Sequence, residues 1–426
     1  MQHPRGSHRV STVLLACMVA AVAHAAISPE ERAIVDWARA HQAEMVALVE
    51  KAVKIDSATE NVAGVRALGD LFAEELKQTG LTPRWISLPA ESRRAGHLFA
   101  SRAGTQGKRL LLIGHLDTVL HGGTFRRTEN TGHGSGTNDM KGGDVVLIYA
   151  LKALQAAGAL ERTQIEVMMT GDEESIGDPV ELSRRELLEA AKRSDIALSF
   201  EGGKRGEGTV ARRGASGWKL EVTGPTGHSS GIFSGAMGSG AVYELARILE
   251  GFHTELRKLP GLTANVSVLA GGAQVKEETL SLTAEGKSNI IPARAVARGD
   301  LRAVSPEQLA QAEKVMREVT AKHRPRTTPT LTISHRYPPM DATPRNLEVL
   351  AVFDRVSRDL GEGPQVANDP AQRGAGDSAF AAPYCAVLDG LGPYGGGAHA
   401  ERETIDLSSL APQVARAAVL IYRLTR

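Results

Sequence analysis

The sequence predicts an α/β protein: a central mixed, mostly parallel sheet flanked by helices, with a second domain of βαββαβ order inserted into the first. Three observations lead there. Short apolar runs end repeatedly in acidic or histidine residues, helix-like segments separate those runs, and between residues 214 and 337 the pattern changes to paired strands around two helices. A chain of 426 residues also exceeds one compact core, so two domains are the first expectation.

Residues 1–25 stand apart from that fold. Arg5 and Arg9 precede the apolar run Val10 to Val22, and Ala23-His24-Ala25 supplies the small-x-small pattern of a signal-peptidase site. The segment reads as an export signal cleaved after Ala25, which places the mature protein in the periplasm or outside the cell. The run is shorter than the ~20 residues a bilayer needs, so no stable membrane span is expected. Lipid attachment at Cys17 is the alternative, although Leu15 fits a lipobox poorly. With Cys17 removed, Cys385 alone remains; inside Tyr384-Cys385-Ala386-Val387-Leu388 it reads as a buried structural thiol.

The first part of the catalytic domain is expected over 26–213. Ser28-Pro29-Glu30-Glu31 carries an N-cap, a proline at the first helical position and a capping-box glutamate. Ile34, Trp37, His41, Met45 and Leu48 then recur at helical spacing, with His41 as a packing residue. A second helix is expected from about Val62 to Thr79, stopped by Gly80.

Four strand-like runs follow. Leu110 to Ile113 leads to His115 and Asp117; Ile165 to Thr170 leads to Asp172-Glu173-Glu174; Ile196 to Phe200 leads to Glu201; Ala386 to Leu388 leads through a glycine-rich loop to His399. In open α/β sheets ligands bind beyond the carboxyl ends of the strands, so these polar residues are expected to share one pocket. Asp139 sits between the first two runs on the loop Gly134 to Gly143, ahead of the helical run Asp144 to Ala156. Taken singly, each feature has a plainer reading: a capped turn for His115 and Asp117, an N-cap for Asp139, a solvated acidic turn for residues 172–174. Their convergence outweighs those readings.

The inserted domain is expected over 214–337. Trp218 to Thr223, Val266 to Leu269, Ala295 to Leu301 and Thr328 to Ser334 read as strands, and Gly235 to Phe252 and Ser305 to Lys322 as helices. That order is ferredoxin-like. The first domain is completed over 338–426.

Net charge of +1, dispersed basic residues and 4% aromatics exclude a nucleic-acid partner and leave a small molecule or peptide as ligand. His115, Asp139, Glu174, Glu201 and His399 offer two imidazoles and three carboxylates without a thiolate. That set suits zinc, with manganese or cobalt as alternatives. Five ligands exceed what one open tetrahedral ion uses, whereas two divalent ions sharing a carboxylate fit the count, a standard arrangement for hydrolysis. Neighbouring Glu173 and Glu174 point in different directions, so Glu174 can bind metal while Glu173 serves as general base.

His-Leu-Asp-Thr-Val at 115–119, Asp-Met-Lys-Gly-Gly at 139–143, Asp-Glu-Glu at 172–174, Ser-Phe-Glu at 199–201 and His399 together resemble the di-zinc aminoacylase and carboxypeptidase family over nearly the whole mature chain, its glutamate carboxypeptidases most of all. The resemblance implies that Asp139 bridges two ions, with His115 and Glu201 on one and Glu174 and His399 on the other. It implies that Asp117 orients His115 and that the Asp139–Met140 peptide is cis. In the inserted domain it implies a lid whose Asn289 and Arg302 bind the substrate carboxylate, and whose His228 supports the oxyanion in the neighbouring subunit of a homodimer. The implied activity is an exported exopeptidase acting on a small peptide or N-acyl amino acid. An N-acyl-amino-acid deacylase or dipeptidase is the alternative within enzymes, and a metal-dependent binding protein without turnover the alternative outside them. The sequence departs from the family at Gly134 to Asn138, at Gly374 to Ser378 and at Ser229-Ser230, all near substrate-facing loops.

Overall fold

The computed structural model describes residues 27–426. The export signal with its lipidation alternative at Cys17 lies outside the described residues. Among the described residues no helix is long and apolar enough to cross a membrane.

The described residues open on two helices, α1 (Pro29–Ala40) and α2 (Gln42–Val53), where the periodicity suggested one. Ser28 and Glu31 form the capping box at the start of α1, and the break falls at His41. The ring of His41 stacks on Trp37 at 3.8 Å and its Nδ1 sits 2.7 Å from the Trp37 carbonyl oxygen, so the histidine packs and also closes the first helix. α3 (Val62–Lys77) follows, capped by Asn61.

Six strands form the central sheet. In chain order they are β1 (Thr82–Ile86), β2 (His97–Arg102), β3 (Gln106–His115), β4 (Thr163–Thr170), β5 (Ile196–Ser199) and a last strand, Ala386–Leu388. Their spatial order is β1, β2, β4, β3, β5 and Ala386–Leu388, with β1 and β2 antiparallel at one edge and the other four parallel. The run Leu110 to Ile113 is continuous because both faces of the sheet are covered. Leu110 and Leu112 face one buried cluster and Leu111 and Ile113 face another. In-register pairing of Leu112 with Val167 and with Leu198 brings the carboxyl ends of β3, β4 and β5 to one rim. β1 and β2 were not anticipated from the sequence. β2 is buried along its first four residues while β1 is a short edge strand.

The second unit has its own core. Its strands are β6 (Ala215–Thr223), β7 (Thr263–Gly272), β8 (Arg294–Arg302) and β9 (Thr328–Tyr337), arranged β7-β8-β6-β9 and all antiparallel. With the helices Gly240–Leu256 and Pro306–Ala321 on one face, this is the ferredoxin-like βαββαβ unit. β6 alternates buried and half-exposed residues; Trp218, Leu220 and Val222 point into a cluster with Leu245, Ile248 and Phe252. A hairpin of Gln274–Glu277 with Leu282–Glu285 adds to what the sequence suggested. The two connections to the first unit run side by side: Arg212 and Met340 exchange backbone hydrogen bonds at 3.0 Å, and a Cβ on Gly214 would meet Pro339 at 2.7 Å.

Candidate metal centre

The rim of the central sheet gathers the predicted polar residues. His115 ends β3, Glu173 and Glu174 follow β4, Glu201 follows β5, and His399 comes from the loop after Ala386–Leu388 with φ 62°, in the left-handed region. Asp139 stands just ahead of the helix Lys141–Ala156, and its peptide bond to Met140 is cis. Sequence reasoning missed the group that holds this loop. Glu403 accepts the backbone N–H of Gly136 at 2.8 Å, of Asn138 at 2.8 Å and of Asp139 at 3.0 Å. A carboxylate four residues after His399 carries no pattern that would single it out.

The two oxygens of Asp139 face two different histidines. His115 Nε2 lies 3.1 Å from Oδ1, and His399 Nε2 lies 3.2 Å from Oδ2. Glu201 Oε1 is 3.7 Å from His115 Nε2, while Glu174 Oε2 is 3.1 Å from His399 Nε2. Two groups of three follow, His115 with Asp139 and Glu201, and Asp139 with Glu174 and His399; within each, one ligand atom per residue lies within 4.8 Å of the others. Glu173 forms a further group with His115 and Glu174, its Oε2 4.0 Å from His115 Nε2.

The donor set asks for cations. Burial, with neighbouring Asp139 acting in the same direction, raises Glu174 and Glu201 to about 7. Burial also raises Glu173 well above the usual carboxylate range. Glu174 Oε1 is buried without a hydrogen-bond partner. Burial disfavours a charge on His115, but the carboxylates of Asp117, Asp139, Glu173 and Glu201 outweigh it and raise its pKa. On His399 the bonds to Asp139 and Glu174 raise the value to about 11. Carboxylates crowded this closely, with an orphaned oxygen among them, are a site for divalent ions.

The acidic run at 172–174 is no solvated turn, since Asp172 is fully buried and Glu173 nearly so. Arg184 Nη1 donates to Asp172 at 2.6 Å and its Nε to Asp377 at 2.7 Å; Ser183 Oγ donates to Asp172 at 2.6 Å. Burial disfavours the Asp172 carboxylate, yet Arg184 overrides this and lowers it to about 2. The ion pair anchors the loop from beneath. The Tyr337 hydroxyl donates to the Glu173 carbonyl from above.

Asp117 does more than orient His115. His115 Nδ1 contacts the backbone oxygen of Asp117 at 3.0 Å and its carboxylate only at 3.5 Å. The carboxylate accepts the N–H groups of Glu173 and Glu174 and the hydroxyl of Thr59.

A cavity of about 410 Å³ opens over these residues, and Arg302 lines it with Arg212 and Arg373. Asn289 and His228 do not. They lie together on the inserted unit, where Ser229 N donates to Asn289 O at 2.9 Å, and both are exposed. Within one chain the structure thus separates Asn289 from Arg302. Cys385 is buried, its thiol raised to about 11 by that burial, in keeping with a structural role.

Known proteins resemble this chain in sequence and in fold. A family model described as peptidase family M20/M25/M40 matches residues 111–423. Carboxypeptidase G2 of Pseudomonas sp. (strain RS-16) is 27% identical over 432 residues, which cover 97% of each chain. Among solved structures, aminopeptidase PepT of Bacillus cereus ATCC 10987 aligns with a TM-score of 0.68 at 17% identity, over 90% of this chain and 99% of that one. The Bacillus subtilis YXEP protein, a dinuclear metal binding peptidase from the M20 family, aligns with a TM-score of 0.63 at 12% identity, over 91% and 99%. At these identities the two structures speak for the fold.

Proposed function

The chain belongs to peptidase family M20/M25/M40 and is a metal-dependent hydrolase; from that premise we propose that it is an exported zinc carboxypeptidase that cleaves the amide bond beside a free carboxylate. The observation that carries this reading is Asp139, whose two oxygens each face a separate histidine. Similarity to carboxypeptidase G2 over almost the full length supports a carboxypeptidase.

His115 and Glu201 would hold one ion, Glu174 and His399 the other, with Asp139 between them. The chemistry that two divalent ions held there would supply is polarisation of the scissile carbonyl and acidification of a water molecule. Glu173 takes a proton on its carboxylate from the water that attacks the scissile carbonyl carbon, and hands it to the amine nitrogen as the C–N bond breaks. Its backbone is fixed from both sides, N–H by Asp117 and carbonyl by Tyr337, so the side chain stays aimed into the cavity. Arg302 lines the same cavity and offers a planar fork for the substrate α-carboxylate.

A homodimer completes the site in this reading. His228 is exposed away from its own cavity and would serve the oxyanion of the neighbouring subunit. The edge of the small sheet supports such pairing. β7 is an edge strand with Val266 and Leu269 exposed, and Val242 and Tyr243 are exposed on the adjoining helix. Export rests on residues 1–25, with cleavage after Ala25.

The test is a panel of peptidyl and N-acyl amino acids, each offered with a free carboxylate and as the carboxamide. The zinc-loaded protein should release the terminal amino acid from the free acids only, and a chelator should stop it. Equal release from the carboxamides overturns the reading. Release from N-acyl amino acids alone, with peptides untouched, makes it a deacylase.

A further inference from the structure

Two guanidinium groups in the cavity wall have no task in the reaction as described. Arg212 is buried; its Nε donates to Asp389 at 2.6 Å and its Nη1 to the carbonyls of Gly374 and Ala375 at 3.1 and 3.0 Å. Its Nη2 is buried without a hydrogen-bond partner, 3.8 Å from a Glu201 oxygen. Gly376 lets the loop close over this group, since a Cβ there would meet the guanidinium carbon at 3.0 Å. Arg373 carries even less compensation. Among the described residues its one side-chain hydrogen bond runs from Nη2 to the Gly202 carbonyl at 2.9 Å, its Nε is buried and unpartnered, and no carboxylate forms a salt bridge with it.

We propose that Arg373, with the free edge of Arg212, forms a subsite for a second carboxylate of the substrate, so that the preferred substrate is a dicarboxylate bound by Arg302 through one acid group and by Arg373 through the other. This rests on the carboxypeptidase reading and names its substrate class. Two like charges held together out of water are costly, and an anion between them removes both the repulsion and the orphaned donors. Burial and the neighbouring Arg212 together outweigh the carboxylates of Asp389, Glu201 and Asp139 and destabilise the charge on Arg373, in keeping with a wall that awaits an anion. A planar guanidinium also discriminates well, because a neutral isostere leaves its buried donors unpaired. No sequence pattern marks this pair, since Arg373 stands in a loop of small residues and Arg212 lies more than 150 positions away.

The second carboxylate could belong to the released amino acid or to the acyl group, and paired substrates separate the two. N-benzoyl-glutamate against N-benzoyl-glutamine reads the first, and N-succinyl-leucine against N-butyryl-leucine the second. The wild type should prefer the charged member of one pair by about ten-fold or more in kcat/KM, chiefly through KM. In Arg373→Gln that preference should collapse at least about ten-fold, and Arg373→Lys should restore part of it. Calorimetric titration with glutarate and with butyrate reads the subsite without turnover: glutarate should bind the wild type more tightly and lose that advantage in R373Q. No charge preference in either pair, or an unchanged preference in R373Q, overturns the subsite. If no substrate is hydrolysed at all, the carboxypeptidase reading fails while the titrations still decide on Arg373.

Discussion

One oxygen of the Asp117 carboxylate accepts the backbone N–H of Glu173 at 2.9 Å, and the other accepts that of Glu174 at 3.0 Å. A single buried acid therefore fixes two adjacent glutamates whose side chains part company, Glu174 toward His399 and Glu173 toward His115. Asp117→Asn turns one acceptor into a donor facing a donor. The variant should lose about 10–100-fold in kcat/KM, the cost typical of groups that support metal ligands. Kinetics with metal analysis check this, and wild-type turnover would show that the two N–H bonds are dispensable.

Glu173→Gln removes the proposed base and keeps its volume. Turnover should fall by about 10²–10⁴-fold while metal content, read by mass spectrometry, stays at the wild-type stoichiometry. Loss of metal together with turnover would make Glu173 a ligand, which its proximity to His115 and Glu174 permits geometrically.

Glu403→Ala strips the acceptor from three backbone N–H groups of the Asp139 loop. Each such group left unsatisfied costs about 1–3 kcal/mol, so the variant should melt several degrees lower and bind metal more weakly. Thermal denaturation with and without added zinc separates the two effects. An unchanged melting temperature without zinc would show that water replaces the carboxylate.

Much of this site was legible because strand ends announce themselves. An apolar run that stops at His115, Glu173 or Glu201 marks both a buried strand and what stands at its tip, so fold and candidate ligands came from one signal. Groups that act through the backbone left no such mark. Asp117 was noticed for its neighbour His115, yet its carboxylate serves a loop 56 residues on. Glu403, Tyr337 and Arg373 reach the site from distant segments with no periodicity, and edge strand β1 lacks the alternation that marks a half-buried strand.

Protons and metal ions compete for this cluster, and the sign of the effect follows from the shifts. Burial lifts Glu174 and Glu201 from 4.5 to about 7, so the folded metal-free chain binds their protons more tightly than the unfolded chain. That contribution to stability is complete below pH 4.5 and is lost as pH rises to 7. His399, raised from 6.5 to about 11 by Asp139 and Glu174, adds a contribution present below 6.5 and lost toward 11. The chelated protein should therefore melt progressively lower as pH rises through this range. Zinc binds better as protons leave, so the gap in melting temperature between loaded and chelated protein should widen from about pH 5 to about pH 8. A gap independent of pH would mean that these carboxylates do not hold the metal.

The dimer proposed above makes a prediction that no single-chain role for His228 shares. Glu173→Gln lacks the base and His228→Ala lacks the oxyanion group, so each homodimer should be nearly inactive. In a mixed dimer, one cavity combines the intact Glu173 of the H228A subunit with the intact His228 of the E173Q subunit, and the other cavity lacks both. Equal amounts co-refolded should give mixed dimers for about half the population with one working site in two, so activity should return to about a quarter of wild type. Were His228 to act within its own chain, every cavity in the mixture would lack one group and no activity would return. The exposure of His228 away from its own cavity favours the first outcome.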